Sequence, residues 1–295
     1  MIKSLICDGN AWAYTTCTKT LAEEARRLHG LSPVCTVALG RTLTAAAMMS
    51  DMLKGEEASV TISIDGGGPT GKIVAVGKKG AGVKGYIHEP HVDLPLVDGK
   101  LDIAGAVGRD GSLTVIRDLG MREPYVGRVR LQTGKIASDL AFYYALSEQT
   151  PSLVFLSVHL DTHGHVKSAS GAIIQPLPGC PEEALQKMEA CADKMDNFTA
   201  MLEGGATLVQ ATETLFAGMN MQVMEKSGPR YACGCSRGKI ESVLLSMGEE
   251  ELLDMMEKDK GAYVSCQFCM KEYAFNEAEL HGLIERGKKA GEVES

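Results

Sequence analysis

The chain has 295 residues, of which 44% are hydrophobic and 23% charged, with a net charge of −8 at pH 7. That length suits about two domains with a sizeable core. The acidic balance speaks against partners held by bulk positive charge, so neither nucleic acid nor an anionic membrane surface is expected. The start, Met1-Ile-Lys-Ser-Leu-Ile-Cys-Asp, has too short an apolar run for a signal peptide, and Asp8 interrupts it. The longest helical-looking apolar stretch, 42–50, falls far short of the ~18–20 residues of a membrane span. The expectation is a cytoplasmic protein whose thiols are kept reduced.

Residues 1–178 read as one α+β domain. Helical signals open it: Leu21-Ala-Glu-Glu-Ala-Arg-Arg-Leu-His stops at Gly30, and Ser32-Pro33 starts a second helix that Gly55 closes. The period then changes. Ser59-Val-Thr-Ile-Ser-Ile-Asp alternates like a strand, followed by strand signals at 73–76, 83–88, 113–117 and 125–131. A helix is expected over 136–148, then strands over 153–160 and 166–174. Helices, then strands, then a helix and a hairpin describe an α+β fold rather than a regular βαβ alternation.

Three prolines and a glycine in Gln175-Pro-Leu-Pro-Gly-Cys-Pro mark a boundary. Residues 179–230 read as a helical linker, with one long helix from Pro181 to Glu203, a break at Gly204-Gly205 and a second helix from Thr207 to Ala217. Methionines recur along it at 188, 195, 201, 219, 221 and 224. Composition alone favours ordinary core filling for them, although methionine also suits surfaces that accept varied apolar partners. The remainder, 231–295, is expected to be a small C-terminal metal domain. It should carry a helix near 238–247, an acidic helix near 249–258, and a strand at Tyr263-Val-Ser-Cys.

Five of the nine cysteines, Cys7, Cys17, Cys35, Cys180 and Cys191, are scattered and read as small buried hydrophobes. The other four form Cys233-Gly-Cys235, thirty intervening residues, then Cys266-Gln-Phe-Cys269. Zinc takes four ligands at tetrahedral corners and accepts thiolates readily. Gly234 permits a tight bite between its neighbours. The spacing therefore predicts one zinc ion per chain on Cys233, Cys235, Cys266 and Cys269.

Three uses of such a site stay open on spacing alone. A zinc-ribbon binding module would use its metal only for structure. Many such modules bind nucleic acid, yet 231–295 carries 8 Lys and Arg against 13 Asp and Glu. A thiol oxidoreductase would place Cys-x-x-Cys at the start of a helix in a βαβ unit, whereas a strand leads into this one. A redox switch is the third, since zinc-bound thiolates react with oxidants and each disulfide removes two ligands.

Beyond the cysteines, Gly66-Gly-Gly-Pro-Thr-Gly71, Gly85-Tyr86, Tyr125-Val-Gly, the run 136–152 and Ser170-Gly-Ala-Ile-Ile-Gln-Pro-Leu-Pro-Gly179 resemble the heat shock protein 33 (33 kDa chaperonin) family of redox-regulated chaperones. The resemblance covers nearly the whole chain. Lys135 and Ser138 depart from it at positions where acidic residues would be expected. It implies a holdase that needs no ATP and is not an enzyme. Reduced and zinc-bound, it would be inactive and monomeric. Oxidation would form disulfides Cys233–Cys235 and Cys266–Cys269, release zinc and loosen the linker, so that a homodimer binds unfolded client proteins. On this resemblance the methionine-rich linker binds clients or covers the surface that does.

Two other patterns are weaker. Gly66 to Lys72 has phosphate-loop spacing, but Ile73 stands where Ser or Thr would hold magnesium, and a strand follows instead of a helix. A hairpin turn is expected there. His159, Asp161, His163 and His165 are close in sequence, but Asp161-Thr-His-Gly164 is a turn signature. No nucleophile–base set or carboxylate pair is identifiable, so no catalytic residues are assigned.

Overall fold

The computed structural model describes residues 1–80 and 82–293, with side chains to residue 287. Residues 294 and 295 of the expected C-terminal segment lie outside that range. The chain divides into two compact units, Met1–Ala232 and Cys233–Ser295.

The first unit begins with a hairpin of strands β1 (Ile2–Ile6) and β2 (Ala11–Cys17), where the sequence showed no strand signal. The signal is hidden because β2 is covered on both faces and so does not alternate, while β1 turns the hydroxyl of Ser4 inward. Helices α1 (Lys19–His29) and α2 (Pro33–Asp51) follow as expected, with Gly30 in the left-handed region closing the first and Pro33 opening the second. Helix α2 is buried almost all round, from Val34 to Asp51, as befits a helix packed on several sides at once.

Next come β3 (Ser59–Gly67), β4 (Ile73–Lys78), β5 (Gly82–Ile87), the short α3 (Ile103–Val107), β6 (Gly108–Asp118) and β7 (Tyr125–Arg130). These strands form one antiparallel sheet in the order β5-β4-β3-β6-β7. The glycine-rich stretch is the β3–β4 hairpin turn, as expected. A Cβ on Gly66 would lie 2.4 Å from the Val107 carbonyl oxygen, and one on Gly68 would lie 2.3 Å from that of Ala106. Those glycines serve close backbone packing rather than a phosphate.

Helix α4 (Ala137–Leu146), β8 (Leu153–Leu160) and β9 (Val166–Pro176) follow. The β8–β9 turn is closed by Asp161, whose Oδ1 accepts the N–H groups of His163 and His165 at 2.8 and 2.9 Å. A second antiparallel sheet runs β10-β1-β2-β9-β8, and α2 packs against strands of both sheets.

The methionine-rich stretch is helical but not uniformly so. The long helix expected over 181–203 breaks into α5 (Glu182–Glu189), a single 3₁₀ turn at Ala192–Lys194, and α6 (Met195–Glu203). Helix α7 (Leu208–Leu215) starts with a Thr207/Gln210 capping box. After it, β10 (Gln222–Lys226) is a strand inside the segment read as a helical linker, beyond the second helix expected over 207–217. All of its side chains are exposed, so its place is set by main-chain bonds to β1 and not by a hydrophobic pattern. Helices α5 to α7 bury Met188, Met195, Phe198, Leu215 and Phe216 against Ile6, Ala13, Ala172 and Ile174 of the sheet. Hydroxyl pairs Thr15–Thr212 (2.8 Å) and Ser170–Thr199 (3.2 Å) satisfy the polar groups buried there.

The second unit contains α8 (Arg237–Met247), α9 (Glu249–Asp259), a hairpin of β11 (Gly261–Ser265) and β12 (Glu272–Asn276), and α10 (Glu277–Val293). Its core is small: Leu244, Leu252, Ala262, Tyr273, Phe275, Leu280, Leu283 and Ile284.

Candidate metal centre

Two separate pieces of chain supply the thiols. Cys233 and Cys235 lie just before α8, whose N-terminus is capped by the Ser236 hydroxyl. Cys266 and Cys269 lie in the turn joining β11 to β12. The hairpin register ends at Ser265–Glu272, and the turn is tightened by N–H donation from Cys269 and Met270 to the Cys266 carbonyl at 3.2 and 2.7 Å. Met270 takes a left-handed φ of 58° to close it.

The four sulfurs lie within 4.8 Å of one another. The nearest contacts run between the two pieces: Cys233 Sγ to Cys266 Sγ at 3.7 Å, and Cys235 Sγ to Cys269 Sγ at 3.3 Å. A tetrahedron with metal–sulfur bonds of ~2.3 Å has edges of about 3.8 Å, so both the donor set and the spacing fit a four-thiolate zinc site. Among the described residues this is the one metal-type cluster, and the group His159, Asp161, His163 and His165 does not form a second. The site's Cys-x-x-Cys sits in a hairpin turn, unlike the helix start that a thiol oxidoreductase needs.

As free thiols, Cys233, Cys235 and Cys269 are unequal. The Tyr273 hydroxyl, 3.2 Å from Cys235 Sγ, pulls that thiol down to about 7, and the same bond pushes the phenol up to about 12. Burial pushes Cys233 up, and it carries Cys269 to about 12. Deprotonated together, the four sulfurs would repel one another, and a divalent cation at their centre relieves that repulsion.

Tyr273 and Lys239 were not singled out in the sequence. Lys239 Nζ donates to the Gly234 carbonyl at 2.7 Å, steadying the first turn. Strand β12 carries a readable hint of Tyr273: it buries Tyr273 and Phe275, alternating with exposed neighbours.

The family described as Hsp33 protein matches residues 1–276. This chain belongs to the Hsp33 family. Proteins named 33 kDa chaperonin are similar to it throughout. That of Clostridium perfringens strain 13 is 40% identical over 292 residues, covering 98% of this chain and 92% of that protein. That of Acetivibrio thermocellus is 42% identical over 285 residues, covering 96% of each. The crystal structure of a 33 kDa chaperonin from Thermotoga maritima superposes with a TM-score of 0.84 at 33% identity, covering 98% of this chain and 99% of that one. The Hsp33 family is one of chaperones, and the α+β fold of this chain is that of its Thermotoga relative. No helix among the described residues is long and apolar enough to cross a membrane.

Proposed function

We propose that this chaperone is a cytoplasmic holdase switched by oxidation. Reduced, it holds one zinc ion on Cys233, Cys235, Cys266 and Cys269. Bound there, zinc supplies a cross-link that joins the segment before α8 to the β11–β12 turn. The reading rests on one observation above all: four sulfurs within 4.8 Å of one another in an Hsp33-family chain.

Oxidation takes two electrons per disulfide. Each pair of thiolates gives two electrons to one hydrogen peroxide molecule, which takes up two protons from solvent and leaves as two waters, so that S–S links Cys233–Cys235 and Cys266–Cys269 form. Four thiolates are consumed, so no ligand set remains and zinc leaves. A segment with so small a core depends on its metal for order. The linker 179–230 then loosens, and the apolar side chains under α5–α7 become available to unfolded clients, which the active homodimer holds. The buried face that carries Phe198 and Phe216 supports this part of the reading.

The test follows zinc release and aggregation of a denatured client together during peroxide treatment with mild heat. Aggregation should fall in parallel with the release of zinc. Zinc that resists the oxidant, or equal protection by the reduced form, would leave the metal a purely structural role, as in a zinc-ribbon module.

A further inference from the structure

A cleft of about 850 Å³ lies in the first unit, and no cysteine lines it. Arg41 of α2 lines it, with Lys100, Lys135 and Lys167 exposed around it. The Arg41 Nε is buried and has no hydrogen-bond partner. Burial lowers the affinity of this guanidinium for its proton, and no neighbouring charge offsets that. Both carboxylates of the cleft already have partners other than Arg41. Glu203 bonds Lys167 at 2.7 Å, His159 at 2.6 Å and Ser168 at 2.7 Å. Asp102 accepts the Gly105 N–H at 2.8 Å.

Four cations thus face two carboxylates, in a chain whose net charge is −8. An unpaired guanidinium drawn out of water is costly, and an apolar residue would suit so buried a helix better. Beside the cations stands an apolar wall that includes Val37, Leu101, Ile103 and Val158. The cleft is of the size that encloses small organic ligands.

We propose that this cleft binds a small organic phosphate monoester, its phosphate gripped by Arg41 with Lys100 and Lys135 at the rim and its apolar body on the wall. A guanidinium fork matches phosphate oxygens two at a time. A monoester carries about −1.5 to −2 charge at pH 7, which answers the two excess positive charges; a carboxylate does not.

The experiment is calorimetric titration of the full, reduced, zinc-loaded chain with phenyl phosphate, inorganic phosphate and benzoate. Phenyl phosphate should bind most tightly, and Arg41→Met should weaken it about tenfold or more. Without ligand, Arg41→Met should melt higher than the parent, because the unpaired charge is gone. Should that variant not fold, the exposed double change Lys100→Gln/Lys135→Gln decides, with a several-fold loss expected. Absence of saturable binding, benzoate binding as tightly as phenyl phosphate, or unchanged affinity in the variants would each overturn the assignment.

Discussion

The Tyr273 hydroxyl donates to Cys235 Sγ at 3.2 Å, tying the strand that leaves one cysteine pair to a thiol of the other. Groups that hydrogen-bond a metal ligand fix its orientation and charge, and losing one commonly weakens metal binding 10–100-fold, on the order of 1.4–2.7 kcal/mol. Tyr273→Phe keeps the ring in the small core and removes only that bond. Competition with a chromophoric chelator should show zinc held at least about tenfold more weakly. Equal affinity would mean that the hydroxyl plays no part in holding the metal.

Removing zinc should unfold 233–295 and spare the core of residues 1–178. The first unit has its own extensive core of buried residues from α2 and both sheets, while 233–295 has little beyond the side chains around Leu280. A strong chelator under reducing conditions should therefore collapse amide dispersion for 233–295 and leave that of 1–178 intact. Cys266→Ser, which removes the most buried of the four ligands, should give the same pattern without chelator. Retained structure in 233–295 would contradict metal-dependent folding.

Phe198 is 1% exposed beneath α6, packed against the sheet. Phe198→Ala should cost ~3–5 kcal/mol at that contact, read as a lower urea midpoint. If the helices cover the client surface, the reduced variant should also suppress aggregation without oxidant. Unaltered holdase activity despite lowered stability would place the client surface elsewhere.

Glu203 gives a pH dependence with a definite sign. Its burial favours the protonated acid, but bonds from Lys167, Ser168 and His159 outweigh that and hold its pKa at about 2. A carboxyl depressed in the folded state stabilises the fold fully above its unfolded value near ~4.3, and that contribution disappears as pH falls toward 2. Glu203→Gln should therefore melt below the parent at pH 6, with the gap closing between pH ~4.5 and 2. A gap that persists unchanged at pH 2 would assign the effect to packing instead of charge.

Gly66 offers a test of the glycine-rich turn. With its would-be Cβ 2.4 Å from the Val107 carbonyl oxygen, Gly66→Ala should force the β3 end away from α3, costing on the order of 1–3 kcal/mol. Thermal melting should show it, and added phosphate should not reverse it.

The cysteine cluster was legible because metal chemistry fixes residue type and spacing directly, and Cys233, Cys235, Cys266 and Cys269 do converge. The β3–β9 strands were legible where one face is covered and the other wet, as in Ser59–Gly67. Strands β1, β2 and β10 were not. Alternation vanishes when both faces are covered, as around Tyr14 and Thr15, and when all side chains are exposed, as from Gln222 to Lys226. The break at Ala190–Lys194 inside the expected long helix is likewise unmarked, since no glycine or proline falls there. Tyr273 and Arg41 were missed because their meaning depends on what lies beside them in space, a thiol in one case and the absence of any counter-charge in the other.

Both ends of the segment bearing α5, α6 and α7 are stitched into one sheet: β9 precedes it and β10 follows it, in the order β10-β1-β2-β9-β8. Helices that leave the sheet therefore remain on a loop pinned at both feet, at an effective local concentration that short tethers set in the millimolar range. On the proposed switch, a bound client would compete with the protein's own helices for one surface. Release after reduction would then need no ejecting machinery, because the tethered segment would be the resident competitor.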